Sequence, residues 1–115
     1  MVQALTKTEW VDICAVTEIN PNTGVCALVA GEQVAIFRVG DGEEVYALSN
    51  YEPFSKAFVL SRGIVGDRNG ITKVASPIYK QNFNLATGQC LDDEAVSIAT
   101  YAARVVEDRV QIATS

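Results

Sequence analysis

The sequence predicts an all-β protein, built as an antiparallel β-sandwich or small barrel with short hairpins and little helix. Short apolar runs rich in Val, Ile and Phe alternate with turns that contain Gly, Asn or Asp. No segment shows a sustained helical period of apolar residues. The 115 residues fit one domain, 1–115, with residues 1–8 as an N-terminal extension.

The first half of the chain predicts three strands in succession. Residues 24–30 and 33–39 are apolar runs joined at Gly31-Glu32, where glycine permits the positive φ angle of a hairpin turn. A second turn at residues 39–42 contains two glycines and leads into a third strand at residues 44–49. These three segments therefore predict a meander of antiparallel strands.

The second half predicts two more hairpins. Residues 64–66 and 71–75 are joined through residues 67–70, where Asn69-Gly70 suits a tight turn. Residues 101–106 and 109–113 reverse at Glu107-Asp108, and apolar residues alternate with polar ones in the last strand, as in a sheet with one wet face. Single helical turns are predicted only at residues 17–20 and 55–58.

Charge and composition exclude several classes of protein. The net charge of −5 argues against nucleic-acid binding, which needs a cationic face. No apolar run is long enough to span a bilayer, and residues 1–10 lack a signal-peptide core, so we expect no membrane association. Three scattered cysteines are typical of free thiols in a reducing compartment, which predicts a cytoplasmic location.

The charge is unevenly distributed. Residues 55–90 carry five Lys and Arg side chains against one acid, a balance of +4 within an acidic chain. Two interpretations stay open: these are solvated side chains on loops, or they form a cationic end that steers docking to a partner.

Residues 76–88 contain the most informative motif. They read Ser-Pro-Ile-Tyr-Lys-Gln-Asn-Phe-Asn-Leu-Ala-Thr-Gly, and this segment resembles the second cluster-binding segment of Rieske iron–sulfur proteins, C-P-x-H-G-x-x-F-x-L-x-T-G. The framework Pro, Phe, Leu, Thr and Gly all match. Ser76 and Tyr79, however, stand where that family has cysteine and histidine. The resemblance implies a Rieske-like domain.

The first cluster-binding segment of that family, A-x-x-N-x-C-x-H, aligns with residues 47–54. Glu52 then falls at the cysteine position and Phe54 at the histidine position. A Rieske centre holds one iron with two thiolates and the other with two imidazoles. Because this chain has no histidine and neither cysteine stands in place, we expect no cluster and no metal site.

The altered loops allow two interpretations. In one, Phe54 and Tyr79 stack where the cluster would lie and form an apolar plug between the loops. In the other, the same aromatic tip is an exposed contact for another protein, since aromatic and arginine side chains are frequent interface anchors. The candidates for partner binding are Tyr51, Phe58, Arg62 and Lys80.

Beyond the general fold, the chain resembles the small-subunit family of cytoplasmic NAD(P)H-dependent nitrite reductases. The resemblance lies in residues 10–14, 23–28, 33–38, 59–64, 74–77 and 83–88. Members of that family lack the cluster ligands. The resemblance implies an accessory subunit without a cofactor, whose partner is the large catalytic subunit. That subunit carries FAD, an iron–sulfur cluster and sirohaem, and reduces nitrite to ammonium.

No catalytic residue is assigned to this chain. It has no glycine-rich dinucleotide turn and no histidine to act as a general base. Two alternatives to the accessory subunit are an electron-transfer Rieske-type protein with atypical ligands and a stand-alone protein-binding β module.

Overall fold

The computed structural model describes residues 9–113, which form antiparallel sheets and confirm the predicted all-β class. The predicted extension at residues 1–8 lies outside the described residues. Two short 3₁₀ helices cover Val16–Glu18 and Leu60–Arg62. The strands are β1 (Trp10–Ala15), β2 (Thr23–Val29), β3 (Glu32–Val39), β4 (Glu44–Ser49), β5 (Tyr51–Glu52), β6 (Ala57–Phe58), β7 (Ile64–Arg68), β8 (Ile71–Ala75), β9 (Asn82–Asn84), β10 (Thr100–Tyr101), β11 (Ala103–Val106) and β12 (Arg109–Ala113).

Three hairpins turn through two residues that both have positive φ angles, as the twist of the flanking strands favours. The β2–β3 turn is Ala30-Gly31, with φ angles of 49° and 84°. The predicted turn at Gly31-Glu32 is one residue late, because Glu32 already pairs with Val29. The other two turns are Asn69-Gly70 and Glu107-Asp108, as the sequence predicted.

Two other predictions need correction. The predicted strand at residues 101–106 is divided, because Tyr101 pairs with Ala47 in β4 whereas β11 pairs with β12. The helical turn predicted at residues 55–58 is wrong. Residues 53–56 form a turn that is closed by a hydrogen bond from the N–H of Lys56 to the carbonyl of Glu52 at 2.8 Å, and β6 follows this turn.

Among the described residues, no helix is long and apolar enough to cross a bilayer.

The strands form three layers. The central sheet has the order β10-β4-β3-β2, and the terminal sheet has the order β1-β12-β11. In β3, Val34 and Ile36 join the apolar cluster beneath the terminal sheet, while Ala35 and Phe37 join a second cluster beneath β7, β8 and β9. Because side chains alternate across a strand, the terminal sheet and the loop layer (β5 to β9) cover opposite faces of the central sheet.

Arg38, near the end of β3, connects the central sheet with the neighbouring turns. Its side chain is buried, and its guanidinium donates to the carbonyls of Ile19 at 2.9 Å, Gly42 at 3.0 Å and Asp41 at 2.5 Å. The planar fork of five N–H donors suits this multiple contact. The β3–β4 turn and the segment after β1 are thereby held together.

Candidate functional site

The two loops that align with the cluster-binding segments lie side by side in the loop layer. Loop 1 (residues 53–56) joins β5 to β6, and loop 2 (residues 76–81) joins β8 to β9. The hydroxyl of Ser76 donates to Oε1 of Glu52 at 2.7 Å, and this hydrogen bond is buried. The structure thus brings together the two positions at which the Rieske family has cysteine.

Glu52 fills the space between the loops with a carboxyl group that has several donors. The residue is fully buried. Its Oε2 accepts hydrogen bonds from the backbone N–H of Phe54 and from that of Ser55, the latter at 3.1 Å. The Ser76 oxygen in turn accepts the N–H of Ile78 at 3.3 Å. A buried carboxyl group is costly without partners, and these donors offset that cost.

The two loops are built alike from their cysteine positions onwards. The N–H of Lys56 binds the carbonyl of Glu52 at 2.8 Å, and the N–H of Lys80 binds the carbonyl of Ser76 at 3.1 Å. Both lysines have left-handed φ angles, 57° and 66°. At the position of Lys80 the Rieske motif has glycine, the residue that adopts this conformation without strain. Each loop therefore carries, at or next to its last residue, an exposed lysine with a strained backbone.

The predicted stacking of Phe54 on Tyr79 is replaced by another arrangement. Phe54 points inward and lies against Phe83, with ring centroids 6.1 Å apart. Tyr79 instead is 60% exposed. The polar contact between Glu52 and Ser76 takes the place that the sequence assigned to an aromatic plug. Phe54 contributes to the core, while Tyr79 is available at the surface.

The donor set does not fit a Rieske cluster. Glu52 and Ser76 bind each other and backbone N–H groups, and phenylalanine at 54 has no lone pair to donate. The fourth position is held by the phenol of Tyr79, a hard ligand unsuited to the soft cluster. Within residues 9–113, no group of three or more His, Cys, Asp or Glu side chains is arranged to hold a metal ion.

The predicted partner-binding residues all lie in the loop layer. Tyr51 and Phe58 are paired across β5 and β6, with ring centroids 5.2 Å apart, and they are 37% and 55% exposed. Arg62 is exposed at the end of the second 3₁₀ helix, and Lys80 is exposed in loop 2. The structure therefore brings the four residues onto one layer, although Tyr51 and Phe58 lie on the hairpin face opposite Glu52.

Sequence reasoning missed two neighbours of these residues as candidates for contact. Ile78, next to Tyr79 in loop 2, is 46% exposed, and Lys56 is exposed in loop 1. The sequence signal for Lys56 was its offset of four residues from Glu52, which equals that of Lys80 from Ser76.

Asp92 braces the base of loop 2. It accepts hydrogen bonds from the backbone and side-chain N–H groups of Asn82, at 2.8 and 3.1 Å, and pairs with Arg68 at 3.1 Å. The pKa of Asp92 is lowered mainly by the hydrogen bond from the backbone N–H of Asn82. The side chain of Asn82 and the charge of Arg68 act in the same direction. Asp92 thereby connects Asn82, at the start of β9, with Arg68 in β7.

This brace predicts a pH-dependent contribution to stability. The pKa of Asp92 is lower in the folded chain than in the unfolded one. The contribution of Asp92 to stability is therefore complete above the unfolded pKa of about 4, and it is lost as the pH falls through the folded pKa. We expect Asp92→Asn to lower the urea midpoint at pH 7, and the difference from the unchanged chain to shrink on acidification. A constant difference between pH 7 and pH 2 would contradict this account.

Comparison with known proteins gives concordant matches. Residues 9–113 match the family described as Rieske-like [2Fe-2S] domain. Over 104 residues the chain is 49% identical to the nitrite reductase (NADH) small subunit of Salmonella typhimurium, covering 90% of this chain and 96% of that protein. The NMR structure of the Escherichia coli protein NirD is similar with a TM-score of 0.88 and 46% identity, covering 95% of this chain and 99% of that one.

A further match lies within a much larger protein. Over 109 residues the chain is 38% identical to part of the nitrite reductase [NAD(P)H] large subunit of Klebsiella oxytoca, covering 95% of this chain and 11% of that protein. In that relative, a segment similar to this chain is part of the large subunit's own polypeptide.

Proposed function

The chain belongs to the Rieske-like small subunits of NAD(P)H-dependent nitrite reductase, and we propose that it acts as the accessory subunit, binding the large catalytic subunit without carrying a cofactor. FAD, the iron–sulfur cluster and sirohaem, which convert nitrite to ammonium, then all belong to the large subunit. We further propose that the complex acts in the cytoplasm without binding nucleic acid or membranes, and the net charge of −5 on this chain supports the absence of nucleic-acid binding.

One observation supports the proposal that this chain carries no iron–sulfur cluster. The buried hydrogen bond between Glu52 and Ser76 joins the two loops at the positions where the cluster thiolates of the Rieske family stand. A cluster links two loops covalently through its ligands, and here a side-chain hydrogen bond links them. The hydrogen bond thus keeps the loops together, and we propose that their role is to bind the large subunit. The proposed contacts are Tyr51, Phe58, Arg62 and Lys80.

Reconstitution tests this function. The tagged chain is co-expressed with the large subunit of the same organism, and NADH- or NADPH-dependent nitrite consumption is measured for each subunit alone and for the pair. We expect the two to co-purify, and the chain alone to be inactive. Failure to bind the large subunit would contradict the proposal and favour a stand-alone binding module.

The anaerobically purified chain gives the second part of the test. Its visible spectrum and its iron and sulfide content are compared with those of a genuine Rieske ferredoxin. We expect no visible absorption and no stoichiometric iron. Two iron and two sulfide ions per chain would instead support the electron-transfer alternative with atypical ligands.

A further inference from the structure

We propose that docking to the large subunit is centred on the ends of the two loops, and that the contact on the large subunit is an apolar patch bordered by carboxylates. This inference rests on the proposed function. The loop-end surface is defined by two apolar side chains and two cations: Ile78, Tyr79, Lys56 and Lys80.

The first observation in favour of this contact is the exposed apolar area of loop 2. Loop 2 presents Ile78 and Tyr79 next to each other, 46% and 60% exposed. Two large apolar neighbours at a loop end lose contact with water only when a second surface covers them. A tyrosine also supplies a hydroxyl for a hydrogen bond at the rim, which is why it is frequent at interfaces.

The second observation is the positive charge of the exposed side chains around the two loops. In residues 51–64 and 75–82, which form the loops and the strand ends beside them, the cations are Lys56, Arg62 and Lys80, and the only acid is Glu52. Since Glu52 is fully buried, every exposed charged side chain in these segments is positive. The remainder of the chain is strongly acidic. A partner with carboxylates around its contact would therefore be attracted in one orientation and repelled in others.

The third observation is the backbone conformation of the two lysines. Lys56 and Lys80 occupy equivalent positions, four residues after Glu52 and Ser76, and both have left-handed φ angles. Glycine would adopt this conformation at lower cost. Strain of this kind persists where the surrounding structure holds it, and it is concentrated at functional sites. The bond between Glu52 and Ser76 joins the two loops, so it holds the two cations in a fixed relation.

Affinity for the large subunit, measured by biolayer interferometry at two ionic strengths, tests the inference. The double variant Lys56→Glu with Lys80→Glu is expected to weaken binding roughly tenfold or more at low salt, with the loss mainly in the association rate. Arg104→Glu reverses a charge in the terminal sheet and serves as the control, with a change of less than about twofold.

A second pair of variants tests the apolar part. Ile78→Ser with Tyr79→Ser is expected to weaken binding roughly tenfold or more, mainly through faster dissociation. Leu28→Ser removes a side chain that is 72% exposed at the edge of the central sheet, and it should leave the affinity unchanged. Far- and near-ultraviolet circular dichroism verifies that each variant is folded.

The proposed function and the loop-end contact can each be contradicted without the other. If the unchanged chain does not bind the large subunit, the proposed function is wrong. If the unchanged chain binds and both loop-end pairs bind equally well, the function stands and the loop-end inference is wrong. If Tyr51→Ser with Phe58→Ser weakens binding while both loop-end pairs bind like the unchanged chain, the contact lies on the outer face of the β5–β6 hairpin and the loop-end inference is wrong, although the proposed function stands.

Discussion

Replacing Glu52 by alanine is expected to lower the free energy of unfolding by about 3–4 kcal/mol. The change removes the acceptor of the Ser76 hydroxyl and of two backbone N–H groups while leaving those donors between the loops. For a domain of this size, the loss corresponds to a fall in the melting temperature of roughly 10–15 °C. Urea and thermal denaturation followed by circular dichroism measure both quantities.

Glutamine at position 52 is the matched control. Its carbonyl oxygen still accepts from the backbone of loop 1, and its amide group faces the Ser76 oxygen as a donor, so a loss of only about 1 kcal/mol is expected. A double-mutant cycle with Ser76→Ala isolates the coupling between the two side chains, which should be about 1–2 kcal/mol. An alanine variant as stable as the unchanged chain would show that the buried carboxyl group does not hold the loops together.

Replacing Gly88 by alanine is expected to destabilise the chain by about 3–5 kcal/mol. Gly88 has a φ angle of 80°, and a Cβ atom added there would overlap the carbonyl group of Ile98. The backbone of Ile98 already donates to the Gly88 carbonyl at 2.8 Å, so neither segment can move away without losing this bond. The denaturation midpoint in urea measures the effect.

Gly70 separates conformational strain from steric overlap. It has a φ angle of 84°, but no atom lies within 4 Å of the Cβ position. Gly70→Ala should therefore cost only about 1 kcal/mol, the penalty for a left-handed alanine. The difference between the two alanine variants measures the close approach at Gly88. Equal losses at the two sites would contradict a steric role for Ile98.

Local signals were sufficient for most of the fold. Asn69-Gly70 and Glu107-Asp108 were correctly predicted as turns, because Asn, Gly and Asp tolerate the positive φ angles of the observed two-residue turns. Glu107 adopts such an angle without this preference. The predicted strand at residues 101–106 was divided because Tyr101 pairs with β4, a contact more than fifty residues away in the chain. Apolar runs do not reveal which sheet a strand joins, so the transfer between layers depended on tertiary packing.

The candidate site was predictable in its chemistry and less so in its geometry. The loss of the cluster ligands followed from Glu52, Phe54, Ser76 and Tyr79 as they stand in the sequence. The bond between Glu52 and Ser76 was not predicted, because a glutamate in a loop is normally solvated. Aromatic stacking was one of the two interpretations of these loops, and nothing local indicates that Phe54 turns toward Phe83 while Tyr79 turns outward.

The three-layer order also determines where the polypeptide can be tethered. Trp10 and Ala113 are paired in the terminal sheet, on the face of the central sheet opposite the loops. A linker attached beyond either residue would start from the rear of the molecule and leave the loop ends unobstructed. A flexible tether of this kind raises the effective concentration of a module to about the millimolar range. The architecture is therefore equally suited to a separate subunit and to a segment within a longer reductase, as in the Klebsiella oxytoca relative.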